Sequence, residues 1–204
     1  MTFSYLEKKA FKNGFKIIAG ADEAGRGCLA GPVASAMVAI DSCKNISSLK
    51  QVKDSKQLSA CQREKIFEII KQDGSIRWKV SFIWPSIIDK INILEATKLA
   101  WKRCLKKINP QPDFLFIDGN QEIKNLGIEQ RAIIKGDQKI FLVSLASIIA
   151  KVSRDRLMEQ LGFKYPNYCF EKHKGYGTKL HLARLKKFGP CQIHRKSFRP
   201  ICEL

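Results

Sequence analysis

The sequence predicts an α/β fold: a mixed sheet flanked by helices, with a helical C-terminal region. Three observations carry this. Residues 75–84 alternate polar and apolar side chains, as a half-buried antiparallel strand requires. Short apolar runs at 113–118 (DFLFID) and 131–136 (RAIIKG) suit interior strands. Segments with helical spacing separate these runs and follow them.

In chain order, residues 15–21 form an apolar strand that runs into a glycine-rich turn. GPVASAMVAI follows as a second strand, led in by Gly31-Pro32. Ser59 and Gln62 make a capping box ahead of REKIFEIIKQ. Ile76, Trp78, Val80, Phe82 and Trp84 mark one face of the alternating strand. Leu94, Trp101, Leu105 and Ile108 then share a helix face, and Phe141, Leu145, Ile148, Ile149 and Val152 share another. A last helix begins near Thr178 and stops at Gly189-Pro190, where glycine ends the helix and proline bars its continuation.

At 204 residues with 45% hydrophobic content, the chain suits one folded domain, expected to span 1–204, with helical substrate-binding elements from about 151 onward. The N-terminus lacks a signal-peptide core and FLVSLASIIA is too short to span a bilayer, so no membrane association is expected. The 7 cysteines are scattered without a C-x-x-C pair, and the 3 histidines (173, 181, 194) share no metal-ligand spacing with them. Disulfides and zinc are therefore not expected, and a reducing cytoplasm is the natural compartment.

Lys plus Arg number 37 against 19 acids, a net charge of +18, and residues 151–204 alone contribute +9. Such asymmetry points to a polyanionic partner, most simply nucleic acid. Within this basic chain, acids gather where apolar runs end: Asp22 and Glu23 in ADEAG, Asp118 in IDGN, Asp137 in KGDQ. Strand ends of one sheet can converge, and converging carboxylates without His or Cys suit hard cations such as Mg²⁺ or Mn²⁺. Taken singly, each Asp beside a glycine is ordinary turn chemistry. Gly20 and Gly25 have the outer spacing of a phosphate-binding loop, but Arg26-Gly27 stands where Lys-Ser/Thr is required and two acids fill the loop. The G-x-S-x-G nucleophile turn is absent.

AGADEAGRGCLAGPV, DSKQLS, INILEATKLA, FLFIDGN, IIKGD, SLASIIAKVSRD, HKGYGTKLH and IHRKSF, in that order and nearly end to end, resemble the bacterial type 2 ribonuclease H (ribonuclease HII) family. The resemblance implies a ribonuclease H-like domain that hydrolyses the RNA strand of RNA/DNA hybrids and cleaves 5′ to single ribonucleotides in duplex DNA, giving 5′-phosphate and 3′-hydroxyl ends. It implies Asp22, Glu23, Asp118 and Asp137 as catalytic metal-binding acids, Gly25, Arg26 and Gly27 as the ribonucleotide sensor, and Tyr176 as a substrate contact. The extension typical of type 3 enzymes does not precede these motifs, which favours type 2, and no clamp-binding tail is recognisable. Trp101 stands where methionine is common and Cys191-Gln192 where a small residue and proline are frequent; neither is expected to touch the acids.

Two cations about 3.5–4 Å apart can serve an attacking water and a leaving 3′ oxygen together. Discrimination must come from the 2′-OH. On this resemblance Gly25 and Gly27, lacking a Cβ, are expected to let the backbone approach the sugar, Arg26 to hold the turn or meet phosphate, and Tyr176 to lie against the neighbouring sugar and reject a second 2′-OH. Without it, Gly-Tyr-Gly reads as a plain turn with an aromatic plug. Lys151, Arg154, Lys172, Lys174, Arg184 and Arg195 are expected to track phosphates, with Lys56 as a further phosphate contact. The histidines read as structural or phosphate contacts, and the chain as a monomer. The competing readings are a metal nuclease without ribose selection, such as a junction resolvase, and a non-catalytic nucleic-acid binder.

Overall fold

A computed structural model describes residues 3–41 and 58–203. Lys56 lies outside the described residues. A five-stranded sheet has the order β3-β2-β1-β4-β5. Its strands are β1 (Ile18–Ala24), β2 (Val33–Ile40), β3 (Arg77–Ile83), β4 (Phe114–Asp118) and β5 (Glu129–Ile133). β2 pairs antiparallel with β1 and β3, whereas β4 runs parallel to β1 and β5 parallel to β4. The C-terminal ends of β1, β4 and β5 therefore lie along the same edge of the fold. Asp22, Glu23 and Asp118 belong to those ends, and Asp137 follows the end of β5 on a short helix.

The first strand extends three residues past the sequence expectation, because its pairing with β2 continues through Asp22↔Ala36 to Ala24↔Ala34. Asp22 and Glu23 thus sit on the strand itself and not in the turn after it. β5 is not interior: it is an edge strand, its residues 129–132 alternate exposed and half-buried, and Ile134 just beyond is 63% exposed. The alternation in β3 also has a different outcome at its end. Ile83 faces the core of the opposite side with Val33 and Ile88, while Trp84 is exposed and precedes the following helix without a side-chain capping bond.

Helix α5 (Phe141–Lys164) covers one face of the sheet. Ile18, Val38, Phe114 and Phe116 pack there against Phe141, Leu145, Ile148 and Ile149. Gly20 makes the close approach possible, since a Cβ at this position would stand 2.4 Å from the Leu142 carbonyl carbon and Val143 nitrogen. The opposite face is covered by α3 (Pro85–Lys107), whose Trp101 and Leu105 meet Ala19, Ala21, Leu115 and Ile117. This helix is two joined at Asn92, which adopts φ 64° and caps the second part by accepting from the Leu94 and Glu95 amides.

Helix α1 (Tyr5–Lys12) was not anticipated, although Ser4 and Glu7 form a complete capping box. Glu7 does more than cap its own helix. Its carboxylate also accepts from the amides of Phe141 and Leu142, supplying α5 with the N-terminal acceptor that Ile140 cannot provide. Helix α2 (Ala60–Gln72) follows the expected Ser59/Gln62 capping box and is tied to α5 through Arg156, which pairs with Glu64 and Glu68. A short helix α4 (Gly136–Lys139) carries Asp137.

Beyond α5, a 3-10 turn (Pro166–Tyr168), α6 (Phe170–His173) and α7 (Lys179–Phe188) close over the loop between β1 and β2. Ala30 from that loop packs with Met158, Tyr168, Phe170 and Ile193, and bridges to His194. The start of α7 after Thr178 and its end at Gly189 match the expectation. Among the described residues no helix is long and apolar enough to cross a membrane, and all six cysteines are free thiols.

Candidate active site

Alternation along β1 and β4 places Asp22 on the face of Ile18 and Gly20, and Asp118 on that of Phe114 and Phe116, both under α5. The strands are in register up to Ala21↔Ile117, so the two carboxylates leave adjacent strands side by side. Asp22 is only 5% exposed. Burial raises its carboxyl well above the usual range, and the neighbouring Glu23 and Asp118 carboxylates raise it further; bonds from the Ser147 hydroxyl and Glu23 amide oppose this only in part. Asp118 accepts the Gly136 amide at 2.6 Å, which brings α4, and with it buried Asp137, to the end of β4. Lys135 adopts the left-handed conformation that makes this turn.

Glu23 pairs with Arg26 at 3.2 Å, its side chain 10% exposed against 48% for the arginine. This ion pair places some positive charge beside the acids. Among the described residues, no three carboxylate, imidazole or thiolate side chains already close around one point as an ion cage would. The donor set fits a hard divalent cation: oxygen ligands only, and a buried Asp22 whose charge is only partly compensated by the Ser147 hydroxyl and Glu23 amide.

Next to these acids opens a cleft of about 330 Å³, lined by Glu23, Gly25, Arg63, Ser147, Lys151 and Tyr176 among others. Tyr176 is 39% exposed, with the Lys151 ammonium 5.3 Å and the Arg154 guanidinium 5.8 Å from its ring. Gly25 has φ +90°, and a Cβ there would come within 2.0 Å of Arg154 Nε. Arg26 and Gly27 are exposed at the tip of the turn. Lys174 stands apart from the cleft: its ammonium pairs with Glu159 and bonds to the Glu171 carbonyl.

Two arginines expected to track phosphates do not. Arg154 and Arg195 are wholly buried and spend their donors on main-chain carbonyls. Arg154 holds Pro32, Lys174 and Ala30; Arg195 holds Gly31, Arg26 and Gly25. The histidines are also interior, as the structural reading required. The Cys191 amide donates to His194 Nδ1, leaving the proton on Nε2, which faces His181 Nε2 at 3.0 Å. His181 Nδ1 then donates to the Tyr176 carbonyl at 2.9 Å. His173 stacks on His181 at 4.3 Å. Burial pushes both His181 and His194 down to about 4, so this chain of rings is neutral.

A family model described as ribonuclease HII matches residues 19–201. The chain belongs to the ribonuclease HII family. It is 50% identical over 194 residues to the ribonuclease HII of Caldicellulosiruptor bescii, covering 95% of this chain and 91% of the relative. The ribonuclease HII of Endomicrobium trichonymphae is 46% identical over 202 residues, covering 99% and 94%. Among solved structures, the ribonuclease H2 of Pyrococcus horikoshii OT3 superposes with a TM-score of 0.75 at 31% identity, over 92% of this chain and 96% of that one. The RNase HII of Archaeoglobus fulgidus, solved in complex with PCNA, gives 0.75 at 29% identity over 90% and 95%. As a ribonuclease HII the chain is a metal-dependent ribonuclease acting on nucleic acid, with the mixed sheet and flanking helices of ribonuclease H structures.

Three contributors to this ribonuclease HII site escaped the sequence reading: Ser147, Arg63 and Trp101. Ser147 and Lys151 stand one turn apart on α5, and both line the cleft. Trp101 was expected to avoid the acids, but its indole nitrogen donates to the Asp22 carbonyl. Nothing in the sequence signals that contact, which arises from packing across the sheet.

Proposed function

We propose that this chain hydrolyses the RNA strand of RNA/DNA hybrids and cuts duplex DNA 5′ to a lone ribonucleotide, leaving 3′-hydroxyl and 5′-phosphate ends. The observation that carries the reading is the placement of Asp22, Glu23, Asp118 and Asp137 at one end of the sheet, beside a cleft with Gly25 and Tyr176 on its wall. Asp22, Glu23, Asp118 and Asp137 would hold two divalent cations, Mg²⁺ or Mn²⁺; the related fold of Bst-RNase HIII has been solved with Mn²⁺. Bound there, such cations would supply Lewis acidity to activate a water and to offset charge on a leaving 3′ oxygen.

The remaining work falls to the chain itself. Ser147 orients the Asp22 carboxylate, and the Gly136 amide orients that of Asp118. Arg26 holds Glu23 at the mouth of the cleft. Gly25, Arg26 and Gly27 present backbone to the ribose, where a 2′-OH is the one group distinguishing it from its neighbours. Tyr176 offers its ring to the adjacent sugar, and Lys151 and Arg63 meet the phosphates beside it. Lys56 adds a phosphate contact, and Lys174 supports the substrate through the loop its carbonyl anchors to Arg154. These elements sit in one chain, consistent with a monomer, and its free thiols fit a reducing cytoplasm.

The test supplies a duplex containing one ribonucleotide beside an all-DNA duplex of the same sequence, with Mg²⁺ or Mn²⁺. A single cut on the 5′ side of the ribonucleotide supports the proposal. Equal cutting of both duplexes favours a metal nuclease without ribose selection, and an intact substrate favours a simple binder.

A further inference from the structure

The turn carrying Gly25, Arg26 and Gly27 is fastened from beneath by a side chain that the sequence places among the phosphate contacts and the structure buries. Arg195 lies near the other end of the chain and is 0% exposed. Its guanidinium donates to the carbonyls of Gly25 and Arg26, both at 2.7 Å, and to Gly31 at 3.1 Å. A fully buried arginine is costly to desolvate unless its donors are satisfied. Here the acceptors are carbonyl dipoles, and none is a carboxylate. The nearby acid, Asp89, is occupied by the amides of Lys196 and Ser197 and the Ser197 hydroxyl.

The consequence follows from peptide planarity. In a trans peptide the carbonyl of one residue and the amide of the next point in opposite directions. Neither peptide in this turn is cis. With the Gly25 and Arg26 carbonyls drawn inward, the amides of Arg26 and Gly27 are turned outward, and both residues are exposed. Neither amide donates to main chain elsewhere among the described residues. Arg154 completes the clamp from the other side: a Cβ on Gly25 would collide with its Nε, and its bond to the Lys174 carbonyl sets the segment leading to Tyr176.

We propose that Arg195 is a positioning residue for ribose discrimination: by holding the Gly25 and Arg26 carbonyls it aims the Arg26 and Gly27 amides at the sugar, and so sets the preference for a 2′-hydroxyl. This rests on the reading of residues 25–27 as the ribose sensor. Lysine at 195 would keep the charge but lose the planar fork that spans two carbonyls. A displacement of about 1 Å in a positioning group can cost on the order of 10²-fold in rate.

The experiment compares wild type with Arg195→Lys on duplexes carrying either one ribonucleotide or one 2′-fluoro nucleotide, whose fluorine accepts a hydrogen bond from an amide far more weakly than a 2′-hydroxyl oxygen does. For folded Arg195→Lys, kcat on the ribonucleotide should fall by about 10²-fold, with KM changed less than about threefold because phosphate contacts remain. The ribose/2′-fluoro preference should fall at least about tenfold. A variant that merely unfolds in part loses both activities in proportion and keeps the ratio. An unchanged ratio in folded Arg195→Lys overturns the positioning role. Absence of any ribose preference in the wild type would instead overturn the sensor reading.

If Arg195→Lys does not fold, the wild-type amide resonances of Arg26 and Gly27 are recorded with each duplex in the absence of divalent ions. Shifts that differ between ribose and 2′-fluoro duplexes support the proposal. Identical spectra overturn it.

Discussion

The indole Nε1 of Trp101 donates to the main-chain carbonyl of Asp22 across 3.3 Å, from the face of the sheet opposite α5. The strand end that carries the acids is therefore gripped from both sides, by Ser147 at the carboxylate and by Trp101 at the backbone. Trp101→Phe keeps most of the packing and loses the bond, so stability should fall by about 1 kcal/mol. Trp101→Ala opens a cavity in a fully packed layer and should cost about 3–5 kcal/mol. Thermal and denaturant melts read both. If Trp101→Phe lowers turnover beyond what its loss of stability explains, the bond to Asp22 positions the acid.

Glu7 is wholly buried, and its carboxylate accepts from Ser4, Phe141 and Leu142. Glu7→Ala leaves the first amides of α5 without an acceptor inside the protein. Stability should drop by about 2 kcal/mol or more, while Glu7→Gln, which keeps one acceptor oxygen, should lose less. Equal melts for both variants would show that α5 does not depend on this acceptor.

Asp118→Asn should nearly abolish turnover, exceeding the roughly 10–100-fold loss typical of a residue that only supports a metal ligand. Binding to hybrid duplex should persist with a similar salt dependence, because the phosphate-facing cations are untouched. Substantial turnover in Asp118→Asn would contradict the role assigned to this carboxylate.

The paired histidines make folding sensitive to acid. His181 and His194 titrate near 4 when folded, against 6.5 for an ordinary histidine, because burial disfavours the charged ring. Between those values the unfolded chain takes up protons that the folded chain refuses. Stability from this source is thus complete above pH 6.5 and declines as pH falls toward 4. Replacing His194 with Gln should flatten that decline in a pH series of denaturant melts. A series with the same slope in wild type and variant would assign acid sensitivity elsewhere.

Tyr176→Ala removes the ring that faces Lys151 and Arg154. Cleavage at a lone ribonucleotide should fall by roughly 10-fold or more, the scale set by the roughly 1–3 kcal/mol that an aromatic ring contributes when stacked on a base. An unchanged rate would make the ring a structural plug.

Much of this architecture is written locally. The capping box at Ser59, the Thr178 start and the Gly189 stop depend on neighbouring residues, and they fold as read. The acids at the ends of β1 and β4 were legible for the same reason: an apolar run that ends in a carboxylate marks its own boundary. What the sequence concealed depends on distant partners. Arg154 and Arg195 look like surface cations until the carbonyls they serve are seen, and all of these but that of Lys174 lie more than a hundred residues away. The edge position of β5 and the contact of Trp101 with Asp22 likewise follow from strand order, which no single segment encodes.

The most direct measurement counts Mn²⁺ bound to the full chain, by electron paramagnetic resonance, in the presence of a duplex whose scissile phosphate cannot be cut. About two ions per chain are expected for the wild type, and their loss when Asp22 and Asp118 are both changed to Asn. Undiminished binding in that folded double variant would contradict the account.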